Sequence, residues 1–331
     1  MTYLFRPTVR PFAILAGAFV VLALIDRGAG YFFSLGTVFS VMQLFATLGL
    51  VALGLGLSMM VREFDLSVAG MVGLAGCVAV MTGAAHPWLG VLLGVAAGVV
   101  SGTAQGLIMT RLGLNSIGVT LGGLLTLQGI TYVLTGNATI SYPNMAVALG
   151  LNAPIAGGLL SVRSAAALLV FVLVWAVMTW THIGRDIIAT GSDRRASRIA
   201  GLNTDGIVIG VFATSGAMAA LAGVLLSYSL GAASPVALAD VLAPAAAAAI
   251  VGGVSVVGGR SNALGIAAGV LTLCVLRSGL SAIGEPPYIH DLITGAILLA
   301  IAILDAPDLL RRIQAWRLDN AERQNKKVEQ S

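Results

Sequence analysis

The sequence predicts an all-α, polytopic membrane protein. Apolar residues make up 58% of the 331 residues and charged residues only 10%. A soluble domain runs at about 45–50% apolar and about 25% charged, so this chain cannot clothe a globular surface. The apolar residues gather into runs long enough to cross a bilayer, and the cations between the runs segregate to one side. Glycine contributes 42 residues and proline only 10. That glycine share is roughly double the usual ~7% and suits close helix packing in lipid. A net charge of +4 does not point to nucleic acid, because too little polar surface remains for a groove-binding domain.

Crossing the ~30 Å hydrocarbon core takes about 20 apolar residues as helix. Ten runs qualify, at roughly 11–25, 38–61, 66–85, 88–109, 116–136, 162–181, 207–228, 241–258, 262–283 and 288–304. The first resembles a signal peptide, with Arg6 and Arg10 before a short apolar core. The following Asp26-Arg27-Gly28 gives no small-x-small cleavage site, so an uncleaved anchor is expected. Runs rich in alanine and glycine blur the boundaries near 61–66 and 228–241.

Ten crossings from a cytoplasmic N-terminus put Arg6, Arg10, Arg62, Arg111, Arg185, Arg194, Arg195, Arg198, Arg260 and the cations from Arg311 to Lys327 inside. Only Arg27, Arg163 and Arg277 fall outside. Fifteen cations against three, of 18 in all, is the asymmetry of the positive-inside rule. One span more or fewer would set the 185–198 cluster opposite the C-terminal one. Both termini are therefore expected in the cytoplasm, with residues 1–305 as the membrane domain and 306–331 as a cytoplasmic tail.

Two polar segments interrupt the apolar pattern. Segment 137–161, with Asn137, Asn144, Asn152, Pro143 and Pro154, reads as an exposed outer loop. Segment 182–206 is the longest polar stretch before the tail. Its Ser192 or Asp193 is placed to cap a short helix with Ala196, Ile199 and Ala200 on one face.

Gly90, Gly94, Gly98, Gly102 and Gly106 recur at every fourth position of the fourth span, making a groove that a neighbouring backbone can enter. Helix packing is the reading adopted; a smooth solute path is its rival. Gly253 to Arg260 lacks the Lys-Ser/Thr of a P-loop, so any ATP-driven motor must be another polypeptide.

Intramembrane ionisable residues mark ion coupling, and they are scarce here. Arg62, Glu63 and Asp65 sit at one span boundary, Asp240 at another, and Arg277 and Asp291 near predicted outer ends. All read as interfacial anchors, which counts against a secondary carrier with a carboxylate at midplane. A Ser255–His290 protease pair would need contact at about 3 Å, but the topology sets the two at opposite membrane faces. Cys77 and Cys274 read as buried small hydrophobes. With no histidine pair, neither metal nor cofactor is expected.

From VREFDLSVAGMVGLAG (61–76) onward the chain resembles the permease subunits of bacterial ABC importers of the ribose/xylose/galactose type. Asp65, Leu66, Ser67 and Val68 match that family's Asp-Leu-Ser-Val-Gly element, with Ala69 in place of its glycine. Thr120, Leu121, Gly122, Gly129 and Tyr132 match its Thr-Leu-Gly segment. Gly184, Arg185, Gly191, Ala196, Arg198 and Gly201 match its cytoplasmic coupling loop, where Asp193 takes the usual Asn position and Ser197 that of a second alanine. Gly252, Gly253, Ser255, Gly258, Gly259, Gly265 and Gly269 match its glycine-rich stretch, and Ile303-Leu304-Asp305 its usual span end. The five motifs occur in order from about 36 to 305.

The resemblance implies an ABC-importer permease fold without its own catalysis, in the bacterial inner membrane. It also implies a periplasmic binding protein outside, ATP-binding subunits inside, and a second permease, either another copy or a close relative. Gly184, Arg185, Gly191, Asp193, Arg194, Arg195, Ala196, Arg198 and Gly201 would couple to the ATP-binding subunit, the arginines meeting acidic groups at the groove rim. A neutral polyol needs scattered hydroxyls, amides and backbone carbonyls along its path, without fixed charge. Gln43, Asp65, Ser67, Asn115, Thr120, Thr126, Gln128, Thr131 and Ser255 are the candidates, each equally able to serve a local helix bond. Branched-chain amino acids or nucleosides are the rival cargo. Amino-acid permeases, however, tend to carry Asn-Phe-Ala-His-Gly where this chain has Asp65 to Gly70. A stand-alone carrier is the remaining alternative.

Overall fold

The computed structural model describes residues 9–304 apart from 27–29, 31, 33, 238, 256–257 and 260–261. The segment 306–331, Arg6, Arg27, Arg260 and the cations from Arg311 onward lie outside the described residues. The fold is helical, and an apolar helix stands at each of the ten expected runs. These are α1 (Arg10–Ile25), α2 (Leu35–Met60), α3 (Val68–Thr82), α4 (Pro87–Leu112), α5 (Ser116–Thr135), α7 (Val162–Trp180), α10 (Thr204–Leu230), α11 (Leu242–Val251), α12 (Ala263–Ala282) and α13 (Pro287–Leu304). Among the described residues, α2, α4, α5, α7, α10 and α12 are long and apolar enough to cross a membrane.

Side-chain caps set several starts. Ser34 accepts from Thr37 N at α2, Asn115 from Ile117 N at α5 and Asn262 from Leu264 N at α12. Ser161 and Ser164 form a reciprocal capping box at α7. Each supplies an acceptor to an otherwise orphaned amide. Left-handed Gly113, Gly136 and Gly231 end α4, α5 and α10.

The run at 241–258 departs from expectation. Helix α11 stops at Val251 after 10 residues, about 15 Å at 1.5 Å per residue. Gly253, Gly258 and Gly259 then adopt positive φ, which glycine enters at no steric cost. What reads as one continuous span is a short helix followed by a glycine-built link. Helix α3 is also short, at 15 residues, because 61–67 before it is a turn and an extended link rather than helix.

Segment 137–161 is more ordered than a turn-rich loop. It holds α6 (Met145–Asn152) and three two-residue strands, β1 (Ile140–Ser141), β2 (Pro154–Ile155) and β3 (Leu160–Ser161). β2 pairs with β3, and β1 runs antiparallel to β4 (Ala232–Ala233) after α10. Beside that join Tyr142 stacks on Tyr228 with centroids 4.5 Å apart. Tyr142 donates to Gly83 O, while Tyr228 sits against Ala79 O and Pro87 O. Both phenols are buried with partners, as burial requires.

Helix α10 is the central pillar, packed on α2, α3 and α4. The glycine row of α4 faces it. A Cβ on Gly98 would strike Gly216 O, one on Gly102 would strike Phe212 O, and one on Gly106 would come within 2.9 Å of Ile209 Cα. Gly94 meets Val224 and Ala75 O, and Gly90 meets Tyr228 and Ala79 O. The row is thus occupied by backbone. Cys77 and Cys274 are free and buried.

Candidate functional site

At one end of the bundle the mid-chain polar segment folds into two helices, α8 (His182–Ser192) and α9 (Arg194–Ile199). Extended backbone at Asp193 breaks them apart. Asp193 also caps α9, its Oδ1 accepting from Ala196 N at 2.9 Å, so Asp193 is the cap rather than Ser192. Strong amphipathicity lays α8 flat with Gly184, Ile187, Thr190 and Gly191 inward.

Several contacts converge on this module. Gly191 lies against the Met60 carbonyl so closely that a Cβ would collide with it. That same carbonyl accepts from Gly259 N at 2.9 Å. Arg62, in left-handed backbone at φ 64, donates to Ser192 O. Arg194 pairs with Glu63 at 2.9 Å. Gly259 is pressed on Ser192 and Gly258 on Arg62. The end of α2, the break between α8 and α9, and the link after α11 therefore form one junction.

The rest of the module faces outward. Ile199 is 81% exposed, and Arg185, Arg195, Ala196, Arg198 and Gly201 are exposed beside it. Arg198 bonds Asp205 at 2.7 Å, Arg185 bonds the His182 ring, and Gly184 abuts the Met178 carbonyl. The exposed face thus sets Ile199 among Arg185, Arg195 and Arg198.

Behind the junction lies a buried polar knot. Asp65 is 0% exposed. Its Oδ1 accepts from Ser67 N at 3.1 Å and Ser67 Oγ at 2.6 Å, and its Oδ2 accepts from Ser215 Oγ at 2.7 Å. Gln105 donates to Ser67 Oγ at 3.0 Å. Burial pushes the Asp65 carboxyl above its ordinary range, and the hydrogen bonds from Ser67 and Ser215 pull it back down. Thr120 donates to Phe64 O and Ser116 O. The sequence gives no sign of Ser215 as a partner of Asp65 or of Gln105 as a partner of Ser67, since 150 and 38 positions separate them.

At the opposite end Arg163 is 6% exposed. It donates to Gln43 Oε1 at 3.0 Å, Gln43 O at 2.9 Å and Ser229 Oγ at 2.7 Å. Gln43 also donates to Asn152 Oδ1. Asn115 is a helix cap, Thr126 donates to Gly122 O and Thr131 to Leu127 O. Gln128 is partly buried on α5, and Ser255 sits in the link after α11. Asp65, Ser67, Thr120 and Thr131 are thus enclosed, and Gln43 belongs to the Arg163 network. Asn115 and Thr126 line a cleft of about 590 Å³ between α4 and α5.

Comparison with known proteins adds an independent line. The family model described as the branched-chain amino acid transport system / permease component matches residues 37–302. The autoinducer 2 import system permease protein LsrC of Yersinia pseudotuberculosis serotype O:1b is 32% identical over 292 residues, 87% of this chain and 81% of that protein. LsrC of Photorhabdus laumondii is 32% identical over 294 residues, 87% of this chain and 85% of that protein. The ribose import permease protein RbsC of Escherichia coli K12 is 28% identical over 296 residues, 86% of this chain and 90% of that protein. No solved structure matches the chain. The match spans the helices that build the junction, the buried knot and the Arg163 network, and so the chain belongs to the branched-chain amino acid transport system / permease component family.

Proposed function

We propose that this chain is the membrane-spanning permease subunit of an ATP-driven importer for a sugar or related polyol. The observation that carries the reading is its similarity, over 86–87% of the chain, to permeases named for autoinducer 2 and ribose import. ATP hydrolysis belongs to a separate ATP-binding subunit, and a periplasmic binding protein delivers the cargo. The chain crosses the inner membrane ten times with both termini cytoplasmic, residues 1–305 forming the membrane domain and 306–331 a cytoplasmic tail. Two permeases, identical or closely related, enclose the pathway.

The knob on α8 and α9 docks on the ATP-binding subunit. Ala196, Ile199 and Gly201 enter its groove, and Arg185, Arg194, Arg195 and Arg198 orient it at the rim. Gly191 and Asp193 hold the shape that makes docking possible. Because the module is tied to the ends of α2 and α11, a push on it reaches two pathway-side helices directly. Nucleotide then biases a two-state equilibrium of the pathway. Gln43, Asp65, Ser67, Asn115, Thr120, Gln128 and Ser255 supply or brace its polar wall.

The test is ATP-dependent uptake into proteoliposomes holding the permease with its ATP-binding subunits and binding protein. Ribose uptake without leucine uptake is expected. Leucine uptake alone would replace the sugar reading with the amino-acid one that the family's description suggests.

A further inference from the structure

Three ionisable side chains that read as separate interfacial anchors in the sequence, together with the His290 considered there for a protease pair, surround a single space. Asp240 before α11, Arg277 on α12, and His290 and Asp291 at the start of α13 line a cavity of about 670 Å³, with Thr47 and Thr294. That size falls within the range of about 300–1,000 Å³ usual for small-molecule sites. The cavity lies at the Arg163 end of α2. Thr47 is 13 residues before Met60, about 20 Å along the helix from the α8–α9 junction.

Two features mark it as more than a packing defect. His290 is 6% exposed and its Nε2 has no hydrogen-bond partner. A buried polar atom left unpaired costs free energy, so Nε2 calls for a partner inside the cavity, a water or a solute that displaces it. The other three ionisable groups are exposed at the cavity, and among the described residues none of the four joins an ion pair. Fixed charges of both signs therefore stand around the same space, in place of the charge-free lining expected from the sequence.

We propose that this cavity binds a neutral, polyhydroxylated solute on its way through the permease. The proposal rests on the import reading above and names the site that reading lacks. Arg277 only donates, the two carboxylates only accept, and His290 Nε2 does either according to tautomer. A hydroxyl both donates and accepts, so a polyol can satisfy all of these at once.

The test uses Gly295→Cys, at a cavity-lining position where a Cβ meets nothing within 4 Å. It is made with Cys77→Ala and Cys274→Ala and reconstituted with the partner subunits. Labelling by a small methanethiosulfonate is followed with D-ribose or L-leucine present. D-ribose at about ten times its Kd is expected to slow labelling about tenfold, leucine to leave it unchanged, and His290→Phe to abolish the ribose effect. Thr294→Cys serves as a second reporter. Labelling indifferent to ribose, labelling slowed by leucine instead, or no labelling at either position overturns the proposal. Ribose uptake without protection sinks the site and keeps the importer reading; protection without ATP-driven uptake does the reverse.

Discussion

The amide of Gly259 and the carbonyl of Met60 are hydrogen-bonded at 2.9 Å, joining the link after α11 to the end of α2. Gly191 of α8 is seated on the same carbonyl. One oxygen is thus shared by three segments that are 68 to 199 residues apart in sequence, and the absence of a side chain at 191 makes the approach possible.

Gly191→Ala is expected to loosen this junction. The added methyl would collide with the Met60 carbonyl, an overpacking cost of about 1–3 kcal/mol. The variant should reach the membrane, with a lower melting temperature in detergent and reduced uptake per molecule. An unchanged melting curve would show that the contact yields easily.

Ala196→Glu and Gly201→Trp alter the outward face and leave the base alone. Position 196 is exposed, and Gly201 has open space but φ +89. Both variants are expected to keep membrane levels and lose ATP-driven uptake. Normal uptake by both, measured with the partner subunits, would remove the docking role from this surface.

Asp65→Asn should be tolerated better than Asp65→Leu. Asparagine keeps an acceptor for Ser67 and offers a donor to Ser215, whereas leucine strands both hydroxyls at about 1–3 kcal/mol each. A pH signature accompanies this. The carboxyl is raised in the folded protein, so its contribution to stability is full below the unfolded value and is lost as pH rises through the folded one. Asp65→Asn should flatten that fall, as denaturation curves taken across acid to neutral pH would show.

Gly102→Val should disrupt the α4–α10 seam. The side chain would enter the Phe212 carbonyl, and helices in lipid associate largely through such close packing. A loss of folded protein in the membrane is expected. For comparison, Gly118→Val on α5 meets open space and should accumulate normally.

Sidedness has a direct measurement. Asp193 is exposed, and Asp193→Cys should react with an impermeant thiol reagent only from the cytosol. Reaction from the periplasm would reverse the topology and detach the docking surface from any ATP-binding subunit.

The sequence by itself determined the class of molecule, the position of its ten apolar helices, and the isolated polar segment that becomes α8 and α9. These follow from composition and local pattern, because lipid demands runs of apolar residues and a polar break among them is conspicuous. The glycine spacing of α4 likewise announced a face for close approach. Only the tertiary structure decided what each face and each charge would meet. Asp65 gained Ser215 as a partner and Ser67 gained Gln105, Arg163 gained Gln43 and Ser229, and four ionisable side chains dispersed along the chain came to surround one cavity. The end of α11 at Val251 was decided by glycines whose left-handed backbone yields to the Met60 contact, while hydropathy sees only an unbroken apolar run. Such pairings are made between residues 38 to 199 positions apart, and periodicity within one helix carries no record of its neighbours.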